Sequence, residues 1–465
     1  MNGLRPVCDR VCSALSSVGA MGSGQMIFRK VATAGARLLG IAGGMVMVLG
    51  LAGVHAQTSP PAPTSTTQEQ STGDTTAVAP AAPAFRWYGG IEYLHWWVKD
   101  APLSVPLVST GPVMNKEGFL INSNSTILYG APFAPASGGN DKQSFPGFNG
   151  ARLTVGYWLD DAQRYAVEAS GFLMQSRTTT YQVRGDSNGN PGLRIPVYNT
   201  IPYAPGGRCD PDRAGFCLVP QTEDGVPLAV PGDLTGGVRI TNSLQFGGLD
   251  LTGVFPVYSD SSWQISGLAG ASFLQLDEGF GLTADLEGLP TSDLYAGQSG
   301  VAVDSFKTQN RFYGATLGVR GRYSYGPMFV EATGRLSLGA SNEFLSVNGS
   351  YVDVNSPFAN NHGPYGIFAL PANEGKFSRT SFAVVPAVQV KLGYNITPAI
   401  TLTVGYDFLY DSNVIRPGDQ INRNIPKGQT FQQDGTAASL ISPGRLFRTT
   451  DFWAQGISFG LVFHL

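Results

Sequence analysis

The sequence predicts an all-β protein: a transmembrane antiparallel up-and-down β-barrel of about ten strands, with long external loops and short periplasmic turns. Three observations predict it. Glycine supplies 60 of 465 residues and aromatics 11%, while charged residues reach only 14%; ordinary soluble domains have ~7% glycine and ~25% charge. Segments of roughly 10 to 16 residues alternate large apolar with small or polar side chains, the period of a strand with one apolar face. The connections between these segments run long, short, long, short without exception, which is the outer-membrane barrel pattern. So many aromatics do not suit a solvated, coreless chain. A net charge of −3 with no basic stripe excludes a nucleic-acid partner.

The first 56 residues read as a secretory signal. Arg29, Lys30 and Arg37 precede the apolar run Leu38 to Val54, and Val54-His55-Ala56 before Gln57 is a small-x-Ala cleavage pattern. The alternative is an uncleaved anchor, for which the run is short of the ~20 residues a spanning helix needs. Met21 or Met26 would serve as the start codon equally well. The residue after Ala56 is Gln57 rather than a cysteine, which argues against a lipid anchor. Removing residues 1–56 leaves a mature chain near −7. Residues 57–85 are Ser, Thr, Pro, Ala and Gln with few large apolar side chains. Such a stretch cannot offset its ordering entropy by burial, so it reads as a flexible leader.

The barrel domain is expected over 86–465. Its strands are placed near 86–98, 149–160, 164–177, 238–257, 262–277, 306–323, 327–340, 379–394, 399–411 and 450–465. In the last, Trp453, Ile457, Phe459, Leu461, Phe463 and Leu465 share one face against Ala454, Gly456, Ser458, Gly460 and His464. Ile400, Leu402, Val404 and Tyr406 likewise oppose Thr401, Thr403, Gly405 and Asp407. An even strand count puts both chain ends on the short-turn side. The segment Phe119 to Tyr129, as a further hairpin, would raise the count to twelve. Backbone groups in lipid must all be paired, so a spanning sheet has to close. Seven charged residues fall opposite the bulky apolar face and are expected to line the lumen: Arg152, Glu168, Asp250, Glu331, Arg335, Lys391 and Asp407. On the lipid face a base at mid-bilayer would cost ~2–4 kcal/mol. The six tryptophans serve as interface anchors or as packing.

Cysteine usage agrees with export. Cys8 and Cys12 leave with the signal; Cys209 and Cys217 remain in a Gly/Pro/Asp-rich loop and are expected to form a disulfide. Closing so small a loop is worth roughly 2.5 kcal/mol. The alternative, a metal site, has four histidines to draw on, at 55, 95, 362 and 464, none at ligand spacing with these cysteines. No metal or cofactor is expected. Ser458-x-Gly460-x-x-Phe463-x-Leu465 is similar to the C-terminal signal that hands outer-membrane barrels to their assembly machinery, with Leu465 where phenylalanine is usual.

Several stretches resemble the putative beta-barrel porin-7 family of bacterial outer-membrane proteins. They are Glu92-Tyr93-Leu94-His95-Trp96-Trp97, Gly156-Tyr157-Trp158-Leu159-Asp160 with Gln163-Arg164, Tyr406-Asp407-Phe408-Leu409-Tyr410, Val414 to Arg423, and Thr450 to Gly456. Together they span the body from about 86 to the end. The resemblance implies an outer-membrane location and a pore, and supplies no catalytic residues.

Two motifs look chemical. Gly456-Ile457-Ser458-Phe459-Gly460 fits the Gly-x-Ser-x-Gly nucleophile elbow, but lies inside a strand with only seven residues after the serine for the triad partners. Asp186-Ser187-Asn188-Gly189-Asn190 begins like a calcium loop, then places Pro191 where glycine is required and Val197 where glutamate is. The expected function is passive transport through a narrow porin-like channel, since about eight strands fill their own interior and wide channels need 16–18. The alternative is a non-conducting structural or display barrel whose long loops mediate interactions. A membrane-embedded hydrolase has no Ser/His/acid set to support it. Expected partners are outer-membrane lipid and the barrel assembly machinery; the sequence sets no oligomeric state.

Overall fold

The computed structural model describes residues 86–111, 125–132, 135–200, 222–293, 295–354, 362–363, 365–425 and 442–465. The signal segment, the leader, and Cys209 and Cys217 lie outside these residues. Ten strands close into a ring. They are β1 (Trp87–Val98), β2 (Phe148–Trp158), β3 (Ala166–Met174), β4 (Leu234–Ser259) and β5 (Trp263–Gly288). The series continues with β6 (Ser299–Tyr325), β7 (Met328–Val354), β8 (Gly375–Thr397), β9 (Ile400–Ile415) and β10 (Thr449–His464). Each pairs antiparallel with its neighbours in this order, and β10 returns to β1 with Tyr88 opposite His464 and Val98 opposite Ala454. Every expected strand falls on one of these. Thr126–Gly130, part of the stretch that raised the possibility of twelve, is a strand of an inner sheet instead.

Two of the short turns are built by local carboxylates. Asp160 accepts from the backbone N–H groups of Arg164 and Tyr165 at 2.8 and 2.9 Å. Those contacts, with the Arg164 guanidinium, hold its carboxyl down at about 2. Asp260 takes the N–H groups of Ser262 and Trp263, both at 2.7 Å, and is likewise lowered. The β6–β7 turn uses Gly326 at φ +57°, the left-handed conformation that only glycine adopts cheaply.

The outer face is an apolar girdle. Ile91 and Tyr93 on β1, Leu317 and Val319 on β6, and Val388 and Leu392 on β8 are all exposed. Water-soluble monomers rarely expose such continuous patches beyond a few hundred Å², whereas lipid requires one. On β6 the girdle runs from Tyr325 up to Tyr313; Arg311, Gln309 and Lys307 then occupy the same face. Twelve residue steps at ~3.4 Å, tilted by ~40°, rise about 30 Å, the thickness of a hydrocarbon core.

Strands β4 to β8 go further than the alternation suggested: β6 and β7 have 27 residues each. On β6 the expected strand, 306–323, stopped short of both ends of the observed one. Beyond it the pairing continues, because the inner face stays buried. Val238 and Ile240 on β4, Phe280 and Leu282 on β5, and Phe306 on β6 face an apolar core. That core is completed by the loops. Pro106–Thr110, Thr126–Gly130, Leu193–Asn199, Thr222–Ala229 and Asn424–Ile425 form a five-stranded sheet packed inside this upper part. Leu107, Ile195, Val197 and Ile425 are completely buried there. The segment Ile367 to Leu370 enters the same core, its backbone N–H groups at 367, 368 and 369 held by the buried Asp304 carboxylate at 3.1, 3.0 and 2.7 Å.

Candidate functional site

The lumen is the place where function would reside, and it is filled in layers. At the short-turn end a chamber of about 320 Å³ is lined by Tyr88, Trp158, Gln264, Asn395 and His464 at its mouth and by charged side chains deeper in. Those charges meet across the barrel. Glu92 of β1 accepts from Arg152 of β2 at 2.7 Å and pairs with Lys391 of β8, two strands beyond the closing strand. Arg152 also holds Asp407 of β9 at 3.0 Å. Arg320 of β6 reaches Glu168 of β3 with both terminal nitrogens, at 2.9 and 3.1 Å. Arg322 binds Glu331 of β7 at 2.9 Å, and Arg335 of β7 binds Asp250 of β4 at 2.7 Å. Arg320–Glu168 and Arg335–Asp250 each bridge over two intervening strands, so both chords cross the interior.

The seven expected lumen residues therefore lie inside, as members of ion pairs. Their partners Glu92, Arg320 and Arg322 complete the network. The signal for these three was the same alternation: Arg320 and Arg322 alternate with the outward Val319 and Tyr323. The crossing is possible because β10 is thin inside. At the level of these charges its inward residues are Ala454, Gly456, Ser458 and Gly460, and a Cβ at Gly460 would lie 2.7 Å from Glu92 Cγ and 2.8 Å from Thr403 Oγ1. Ser458 is buried against Gly405 in this wall, inside an unbroken strand, so it presents no nucleophile elbow. Phe463 and Leu465 sit at the short-turn rim, where the Leu465 backbone exchanges hydrogen bonds with Trp87. The Asp186 carboxylate is consumed by the N–H groups of Asn188 and Asn190, at 2.8 Å each, as a turn rather than a calcium loop.

Above the ionic layer the cross-section becomes apolar. Trp96, Phe148, Phe172, Phe246 and Phe452, from five different strands, interlock with ring centroids 5.2 to 6.1 Å apart. Phe312, Leu274, Ala383 and Val385 fill the opposite side. A cavity of about 40 Å³ separates this layer from the chamber floor at Arg152, Arg335 and Gln389. Of the tryptophans, Trp96 belongs to this interior and Trp158 to the chamber wall, while Trp87, Trp97 and Trp263 are exposed outside.

One pair that the sequence did not single out closes the next level. Arg416, fully buried, binds Glu278 of β5 at 2.7 and 2.9 Å and also donates to the Asp100 carbonyl at 2.6 Å. It ties the loop after β9 to the loop after β1 and to the barrel wall. Arg416 belongs to the family-like stretch Val414 to Arg423, which was the available signal; no period-two argument reaches a loop residue.

A closed ten-stranded barrel with a lipid-facing girdle defines the class: an outer-membrane β-barrel protein. The profile of the Putative beta barrel porin-7 family matches residues 88–464, and the chain belongs to that family. No curated protein matches. Among solved structures, the chain is similar to the outer membrane protease OmpT from Escherichia coli, at 10% identity and a TM-score of 0.37, over 83% of this chain and 99% of that one. It is also similar to a Pseudomonas aeruginosa FadL homologue, at 9% identity and a TM-score of 0.21, over 82% of this chain and 90% of that one. At such values no function transfers from either.

Proposed function

We propose that the protein is a sealed outer-membrane barrel whose working surface is its long-loop end, a rigid platform of inlaid loops held by strands that extend beyond the membrane. The single observation that carries this reading is the interlocked aromatic layer around Phe246, backed by the apolar core of the loop sheet. Moving a loop sheet with so many completely buried side chains would expose each at about 1.5–3 kcal/mol, so thermal motion does not clear the lumen. The short turns and the leader face the periplasm in this reading, and Ser458 takes no part in hydrolysis.

Planar bilayer recording tests it. Inserted protein should show no steady unitary conductance; sustained stepwise openings of the untreated protein would overturn the sealed barrel. A second reading is the narrow channel for small solutes, favoured by the polar chamber beneath the seal. It requires a low conductance that appears when the seal is cut, as in a Trp96→Ala/Phe246→Ala double variant. If that variant inserts, keeps its compact unboiled migration and still does not conduct, the channel reading fails.

A further inference from the structure

We propose that the chamber at the short-turn end is a blind binding pocket for small zwitterionic solutes, of the size of an amino acid or dipeptide, presented from the periplasmic side. Its volume, about 320 Å³, equals the room of roughly ten liquid waters and falls at the lower end of known ligand pockets. It ends at Arg152, Arg335 and Gln389 with the aromatic layer behind, so a solute that enters is held rather than passed.

The wall chemistry selects the charge type. The carboxylates, arginines and lysine of the chamber wall are already paired: Glu92 with Arg152 and Lys391, Glu168 with Arg320, Glu331 with Arg322, and Arg335 with Asp250. A ligand with a single charge would have to loosen such a pair and leave one partner less well compensated in a half-buried site, which is unfavourable. A zwitterion can insert into a pair and meet both members at once. The pair placed for this is Arg322–Glu331. Arg322 is the most open of the chamber cations, with 37% of its side chain exposed, and its guanidinium lies 4.0 Å over the Phe329 ring. Glu331 keeps a second cation, Arg320, 3.9 Å away. The ligand carboxylate would lie on Arg322 and its ammonium on Glu331, with Tyr88 and Trp158 forming the aromatic mouth.

The test is calorimetric titration of the folded protein in detergent micelles with L-alanyl-L-alanine, beside its N-acetylated (anionic) and C-amidated (cationic) forms. Saturable binding of the dipeptide at one site is expected, with both blocked forms at least tenfold weaker. Arg322→Gln and Glu331→Gln should each weaken the dipeptide at least tenfold, Arg322→Lys less, and Lys307→Gln, on the outer wall, not at all. Compact migration without boiling confirms that each variant is folded. Equal binding of the blocked forms, no saturation up to 10 mM, or full affinity in both Gln variants would overturn the inference. Its failure leaves the sealed barrel standing, since conductance is read separately, and steady conductance would sink the sealed barrel without touching the binding data.

Discussion

Arg416 is the residue on which the upper half of the molecule depends. Its guanidinium is fully buried and satisfied by Glu278 and by main-chain carbonyls of the first loop. Removing one member strands the other charge, so Arg416→Ala should cost about 3–5 kcal/mol. Replacing both, as Arg416→Met with Glu278→Met, should recover most of that. Urea unfolding followed by tryptophan fluorescence measures the two; a double variant as unstable as the single would show that the pair itself, not the stranded charge, stabilises the fold. Gly460 acts differently, through its lack of a side chain. Gly460→Leu would drive Glu92 out of its pairing with Lys391 and Arg152, an overpacking cost of about 1–3 kcal/mol. Phe459→Leu, one residue earlier on the lipid face, should cost less than 1.5 kcal/mol. The folded fraction on unboiled gels separates them, and equal losses would refute a packing role for Gly460.

At the scale of the strand, β6 shows how one element crosses two solvents. Its outward face is apolar from Tyr313 to Tyr325 and polar from Lys307 to Arg311, while its inward face is buried throughout the upper part. The membrane therefore ends partway along the strand, and substitutions should report where. Leu317→Arg, with the native side chain 69% exposed to lipid, should destabilise by about 2–4 kcal/mol, and Gln309→Arg, on the same face above the girdle, by no more than about 1. Urea midpoints in bilayers check this. Equal costs at the two positions would mean that the membrane boundary lies elsewhere.

For the whole molecule, closure of ten strands makes the fold one cooperative unit below and a loop-filled cup above. The protein should migrate compactly in detergent until boiled, and far-ultraviolet dichroism should show strand with less than roughly a quarter helix, in keeping with the absence of helical periodicity. Mass spectrometry of mature protein should find an N-terminus at or near Gln57; intact residues 30–50 in the membrane fraction would contradict the signal-peptide reading.

The choice of ten strands over twelve needed the structure, which places Thr126–Gly130 in the inner sheet, whereas strand order and the inward placement of Arg152, Glu168, Asp250, Glu331, Arg335, Lys391 and Asp407 were determined by the sequence by itself. Each of these follows from a period of two and from the rule that a spanning sheet closes, and both are local or topological constraints. Tertiary structure alone decided which charges meet across the lumen, such as Arg320 with Glu168, because pairing over two intervening strands depends on barrel stagger rather than on sequence spacing. It also decided that loop segments pack inside the upper lumen. The loop segment Leu193–Asn199 alternates Leu193, Ile195 and Val197 with Arg194, Pro196 and Tyr198, but neither it nor Pro106–Thr110 names its partner, and their buried faces acquire meaning only against the inner walls of β4 to β7. Burial of an irregular segment is a property of what surrounds it, and that surrounding exists only once the barrel has closed.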